Sequence, residues 1–310
     1  MEKSTIRFLL HDQIHMEKWD DCIENSFNGL AYAESWYLDI VSPDWCALVQ
    51  DDYVRVMPLP VKKKYGIPYI VQPLFVQQLG VFSIKELNAE VISAFLNAIP
   101  RRYLYVNYNL NSQNNYTNTS IKHLNHELDL IDNYTSIVKN YSTNIKRNIR
   151  KAVKAKLSIV KHVRPEEIID LFRHDRGNSI TAWGDKEYAL LLRLLYSGIH
   201  KNRFDTYGAL SAQNTLITGA IFLKSHKALV FLFSGNSPEG KECGAMPFLV
   251  DKFIEDHAEM QVTLDFEGSN DHNLARFYKS FGASPIYYPV HKTVALPKFL
   301  KPLFYSKFGS

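Results

Sequence analysis

Two rhythms of apolar residues alternate along the chain, one at helical spacing and one at every second position. "MEKWDDCIENS" (16–26) and "ESWYLDIV" (34–41) carry the helical rhythm and predict two helices. "CALVQDDYVRVMPLPVKKKYGIPYIVQP" (46–73) reads as strand, Asp-Asp turn and strand, with Pro58 and Pro60 confining the second strand to an edge or its end. "KELNAEVISAFLNAI" (85–99) returns to the helical rhythm and "RRYLYVNYNL" (101–110) to the strand rhythm. Residues 107–120, "NYNLNSQNNYTNTS", are polar and predict a loop.

From about residue 140 the order restarts. "YSTNIKRNIRKAVKA" (141–155) predicts a basic helix and "KLSIVKHV" (156–163) a strand. "PEEIIDLFRHDRG" (165–177) and "DKEYALLLRLLYSGIHKN" (185–202) predict two amphipathic helices, with Pro165 at an early helical position and Gly177 at a stop. Three strands follow, "RFDTYGALSA", "TLITGAIFLKSH" and "KALVFLFSGN", turning at Asn214 and at Ser225-His226-Lys227. Helix "MPFLVDKFIEDHAEM", strand "QVTLDF", helix "HNLARFYKSF" and strand "SPIYYPV" complete the chain. A three-strand antiparallel meander followed by α-β-α-β is a mixed α/β sheet, and the first half holds a shorter version of the same order. Two α/β domains are therefore expected, 1–138 and 139–310, meeting near residues 135–145.

Composition narrows this picture. A length of 310 residues suits two domains with separate cores, and 46% hydrophobic with 22% charged residues is the balance of a soluble globular protein. A net charge of +4 is too small to imply nucleic-acid binding by itself. Cys22, Cys46 and Cys243 are odd in number and far apart, giving neither a disulfide framework nor metal-ligand spacing. No apolar run has the length of a signal peptide or a membrane span, so a cytoplasmic protein is expected. His123 and His126 lack zinc-site spacing, and GxSxG, P-loop and GxGxxG motifs do not occur, so no metal site is expected.

Three stretches then carry a resemblance. They are "YIVQPLFVQQLGVFS" (69–83), the basic helix and strand "YSTNIKRNIRKAVKAKLSIV" (141–160), and "LDFEGSNDHNLARFYKSFG" (264–282). With the element order, they resemble the GNAT acyltransferase superfamily and its two-domain Fem-type branch, the aminoacyl-tRNA-dependent peptidyltransferases and their relatives. The resemblance implies two tandem GNAT-like domains and transfer of an acyl or aminoacyl group to an amine acceptor, a small molecule or peptide such as a cell-wall precursor. It also implies no permanently bound cofactor, the donor being aminoacyl-tRNA or acyl-CoA as co-substrate. An acyl-CoA-dependent N-acetyltransferase and a non-catalytic ligand-binding relative are the alternatives. Acetyl-CoA-binding GNAT enzymes present Gln/Arg-x-x-Gly-x-Gly/Ala after the meander. Here the place reads Lys241-Glu242-Cys243-Gly244-Ala245-Met246 before Pro247, and one glycine matches.

Acyl transfer to an amine needs fixed donors for the carbonyl oxygen and an acceptor for the amine proton. Tyr278-Lys279 resembles the aromatic–Lys pair of Fem-type enzymes, which implies that Lys279 stabilises the oxyanion and Tyr278 shapes the donor site; a surface lysine is the alternative. Asp265 and Glu267 alternate along a strand and are expected on one face, to orient Lys279 or take the amine proton. A turn carboxylate is an equal account of Glu267. Lys146, Arg147 and Arg150 lie on a helix with no acid between Asp132 and Glu166, so the segment is either a solvated face or a contact for a phosphate-rich donor such as tRNA. Ser234 and Asn236 end the third meander strand, where a turn or an anion site fits, and Trp183 is either a cleft or a core residue. Gln72, Phe75 and Gln78 are expected either to read an acceptor's amides or to be edge-strand residues.

Overall fold

A computed structural model describes residues 5–116, 119, 121–180 and 183–295. The chain divides into two compact units, Met1–His123 with Tyr288–Ser310, and Leu124–Tyr287. Unit 1 opens with β1 (Ile6–Leu9), α1 (Met16–Asn25) and α2 (Ser35–Val41). The hairpin β2 (Cys46–Gln50) and β3 (Arg55–Leu59) follows, then a second hairpin, β4 (Val61–Lys64) and β5 (Ile67–Val71). β6 (Phe82–Ser83), α3 (Ala89–Asn97) and β7 (Tyr105–Asn109) complete it. One sheet has the order β1-β2-β3-β6, while β4, β5 and β7 lie side by side, with Val290–Val294 of the last strand antiparallel to β7.

Pro58 is accommodated because β6 pairs only with Arg55 and Val56, leaving the proline's side of β3 free of a ladder. The second hairpin was not expected from the pattern. Its turn has φ of +52° at Tyr65 and +77° at Gly66, the two positive values that a tight hairpin turn requires. Tyrosine stands where Asn or Asp would have signalled that turn. Trp19 and Trp45, both fully buried, pack with ring centroids 4.6 Å apart at the centre of the unit.

Unit 2 takes in β8 (Lys122–Asp129), α4 (Tyr134–Lys139), α5 (Thr143–Lys154), β9 (Ser158–Lys161), α6 (Pro165–His174) and α7 (Asp185–His200). The meander β10 (Phe204–Leu210), β11 (Leu216–Ser225) and β12 (Ala228–Asn236) follows as predicted. After it come α8 (Pro238–Cys243), α9 (Ala245–His257), β13 (Thr263–Asp265), α10 (His272–Lys279) and β14 (Ser284–Val294), whose last residues return to unit 1. The sheet order is β8-β13-β12-β11-β10-β9. α5 and α9 pack together over one part of it, with α9 on β10 and β11, while α6 packs on β11 and β12 and α7 on β10.

The sequence-based boundary at 138/139 differs from the observed one at 123/124. The restart of the element order at α5 set the former, whereas β8 already pairs with β13 and α4 inserts Ile137 into the unit 2 core. Among the described residues no helix is long and apolar enough to cross a membrane.

Candidate active site

β13 runs parallel to β12 over only three pairs, Thr263–Asp265 opposite Ala228–Val230. β12 continues to Asn236, held on its other side by β11. Beyond Val230 the β13-facing edge of β12 therefore has no strand partner among the described residues, and its peptide groups still require bonds. Asp265 ends β13 itself: its Oδ1 accepts the Glu267 N–H at 2.9 Å, closing an Asx turn. Glu267 and Gly268 then take φ of +51° each, which swings the chain away from β12 and into α10.

A cavity of about 740 Å³ opens at this parting, lined by residues of unit 2. β12 forms one wall with Phe231–Ser234 and Asn236, and Phe266, Glu267, Leu274, Phe277 and Tyr278 form another. Asn148 of α5, Lys241 of α8 and the first turn of α9 (Gly244, Met246, Pro247) close a third side. Phe172, Asp175, Arg176 and Trp183 supply the last. Gly244 has φ +78°, and a Cβ there would lie 2.7 Å from the Asn148 carbonyl oxygen, so only glycine lets α9 begin this close to α5. In that first turn Pro247 carries no N–H and the Phe248 N–H bonds to the Gly244 carbonyl at 3.3 Å, which leaves those of Ala245 and Met246 at the helix start, Met246 being a lining residue.

The walls are aromatic at both ends. Phe266 stacks on Tyr278 at 4.8 Å, and Phe231 lies 6.3 Å from each. Phe233 lies 4.7 Å from Phe172 and 6.4 Å from Trp183. At the rim, Lys241 Nζ meets Asp175 Oδ1 at 2.5 Å and Arg176 Nη2 meets Asp271 Oδ2 at 3.5 Å. Asn236 Oδ1 accepts the Thr218 hydroxyl at 2.9 Å.

Three carboxyls gather at the vertex of the parting. Asp265, 8% exposed, accepts Asn125 Nδ2 at 2.9 Å as well as the Glu267 N–H. Burial pushes it up to about 6, against the pull of those two bonds. Glu127 is its register partner on β8, so the two side chains share a face. Burial and then the Asp265 charge push Glu127 up to about 7. Glu267 lines the cavity, and burial pushes it up to about 8. The residue keeps some exposure, yet its Oε1 is sealed from solvent and has no hydrogen-bond partner among the described residues. A carboxyl held in this range exchanges a proton near neutral pH.

The structure brings Glu267, Tyr278, Ser234, Asn236 and Trp183 onto one cavity. Asp265 lies behind it, and its expected shared strand face with Glu267 does not exist, since β13 stops at Asp265. Lys279 is exposed and is not among the lining residues. Successive helical residues point in different directions, so Tyr278 turning inward (4% exposed) carries Lys279 outward, where its charge helps lower the pKa of His126 after burial. Lys146, Arg147 and Arg150 also stay outside. They bond within their own stretch of chain, to the Lys139 carbonyl (3.2 Å), Asn144 Oδ1 (2.8 Å) and the Lys146 carbonyl (3.2 Å), and Asn148 is what α5 gives the cavity.

Gln72, Phe75 and Gln78 belong to unit 1, where the parallel pair β5–β7 holds the place of β12–β13. There the parting is stitched shut. Gln72 Oε1 accepts the Asn109 N–H at 3.2 Å, Asn109 Nδ2 donates to the Gln77 carbonyl at 2.9 Å, and Leu79 bridges to Leu110. Gln78, 4% exposed, accepts the Ser112 N–H at 2.8 Å, and the Phe75 carbonyl accepts the Tyr37 hydroxyl. These residues are neither solvated edge nor open groove. The polar stretch after β7 helps to close the seam, for it contains the buried Asn111 and Asn114, and Asn114 exchanges two bonds with Val81.

Asn125 and Glu127 escaped the sequence reading because β8 did. Its signal was the two-residue spacing of Leu124, Leu128 and Leu130 around His126, masked by polar residues on the opposite face. Among the described residues no group of three His, Cys, Asp or Glu side chains is placed to hold a metal ion.

No protein-family model matches the sequence, and no curated protein matches it by sequence. Solved structures do match in shape. FemX superposes with a TM-score of 0.62 at 11% identity, over 96% of this chain and 99% of FemX. L-PGS from Bacillus licheniformis gives 0.53 at 9% identity, over 94% and 95% of the two chains. The C-terminal domain of a putative lysylphosphatidylglycerol synthetase from Agrobacterium fabrum gives 0.53 at 10% identity, over 89% and 90%. At these identities the likeness is one of fold, and the fold is the tandem GNAT-like architecture of the Fem-type proteins.

Proposed function

We propose that the protein is a Fem-type N-acyltransferase that moves an acyl or aminoacyl group from an activated donor to an amine in the cavity of unit 2. The observation that carries this is the parting of β12 from β13 with an unpartnered Glu267 at its vertex. The free edge of β12 offers peptide groups to an extended donor and N–H groups to the oxygen of a carbonyl under attack. Lys241 and the first turn of α9 suit the phosphates of the donor's carrier, whether tRNA or coenzyme A. Three free cysteines suit a reducing cytoplasm, where such donors are made.

The acceptor enters as an ammonium and gives one proton to the Glu267 carboxylate. The neutral amine forms the C–N bond at the donor carbonyl carbon. The C–S or C–O bond to the carrier then breaks, the second amine proton goes to the leaving sulfur or oxygen, and Glu267 returns its proton to solvent. Native protein incubated with acetyl-CoA or aminoacyl-tRNA and a panel of amines is expected to form amide, detected by mass spectrometry. Glu267→Gln is expected to slow it by roughly 10²–10⁴-fold, the range of a positioned general base. Absence of amide with every donor, or full activity in the variant, overturns the assignment.

A further inference from the structure

We infer that the cavity selects an aryl- or alkylamine with no carboxylate beside its nitrogen, holding the ammonium against Glu267 within the aromatic end. The word acceptor for this ligand rests on the acyltransferase reading; the binding does not. A sealed carboxyl oxygen without a partner is costly to keep, and a ligand that donates to it removes that cost. Phe231, Phe266 and Tyr278 surround the same end, and an ammonium within about 6 Å of such rings gains a cation–π attraction. The remaining volume, between Phe172, Trp183 and Phe233, takes an apolar or flat body rather than a charged one.

The charges around Glu267 decide against a second anion. Asp265 on β13 and Asp271 at the start of α10 are acidic, and both act with Glu267 on the Tyr278 hydroxyl. Tyr278 is kept neutral, since burial and then the Glu267 charge hold its hydroxyl well above the usual phenol range. Of the lining cations, Arg176 pairs with Asp271 and Lys241 with Asp175 at the rim, and Lys279 lies outside, towards His126. An α-amino acid would place its own carboxylate a few bonds from the nitrogen, against this acidic group. An amine on a hydrocarbon stem meets no such repulsion.

The test is calorimetry on the whole native chain at pH 7, in two buffers of different ionisation enthalpy, with 2-phenylethylamine, 2-phenylethanol and phenylalanine. The amine is expected to bind about tenfold or more tighter than either relative. It is also expected to release up to about one proton per site, because Glu267 enters the complex ionised. Glu267→Gln is expected to lose both the preference and the proton release. Equal binding of the alcohol, tighter binding of phenylalanine, or amine binding without proton release from the native chain overturns the inference, whatever the variant does. If the amine binds as described and no donor yields amide, the acyltransferase assignment fails and this inference stands. If amino acids are acylated while 2-phenylethylamine fails to bind, the reverse holds.

Discussion

Glu267 shares with Asp265 and Glu127 a condition that makes pH a probe of the site. Each carboxyl sits above the ordinary range near 4, at about 8, 6 and 7 respectively, chiefly through burial. The folded chain therefore holds protons that the unfolded chain gives up. The stability linked to them is complete below about pH 4 and is lost as pH rises through the folded values. Urea midpoints are expected to fall between about pH 5 and 8. Glu267→Gln is expected to flatten the upper part of that fall, so that at pH 9 the variant exceeds native stability by ~1–3 kcal/mol. A variant less stable than native at pH 9 contradicts the buried, unpartnered carboxyl. Asp265 was legible in the sequence because a carboxylate inside an apolar strand demands an explanation. Asn125 was not, since its bond to Asp265 spans 140 residues and only the strand pairing brings the two together. Lys279 was misplaced for a local reason: α10 turns Leu274, Phe277 and Tyr278 to the cavity, and Lys279, one step further round the helix, faces outward.

The elements that build the cavity are mostly those the hydrophobic rhythm announces. The meander, α9, β13 and α10 follow from it, and Pro165 stands in the first turn of α6 as expected. α8 was missed because six residues give no period to read; its local signs are Ser237, which caps it by accepting the Gly240 N–H at 3.0 Å, and Pro238 at its first position. The left-handed junction between α8 and α9 rests on Gly244 alone. Gly244→Ala combines a positive φ with a Cβ 2.7 Å from a backbone oxygen, so a loss of ~1–3 kcal/mol is expected in urea unfolding. Weaker amine binding should accompany it, because relief of the contact moves the first turn of α9. Native stability in the alanine variant would mean that α5 and α9 are free to separate there.

At the scale of the whole molecule, the chain leaves unit 1 at His123 and returns at Tyr288, so the last strand belongs to the fold of the first unit. No periodicity in one segment reveals such a return, which is why the pattern placed the boundary by the restart of the element order. Removing residues 288–310 is expected to strip hydrogen-exchange protection from the β7 amides, Tyr105–Asn109, while those of β10–β12 keep theirs. Loss of protection in both sets would mean that the units unfold as one. The two units also treat the same topological seam in opposite ways. In unit 1 side-chain amides stitch β5 to β7, whereas in unit 2 β12 and β13 part over protonatable carboxyls. Mutational tolerance should divide along that line. Substitutions at Gln72, Gln78 or Asn109 remove bonds and are expected to lower stability, while neutral substitutions at Glu267 are expected to raise stability in alkaline solution and, on the acyltransferase reading, to remove the general base. On the proposed acyltransferase reading, the trade between robustness and activity that most enzymes strike within one site is distributed over two copies of one fold, the closed copy serving durability alone.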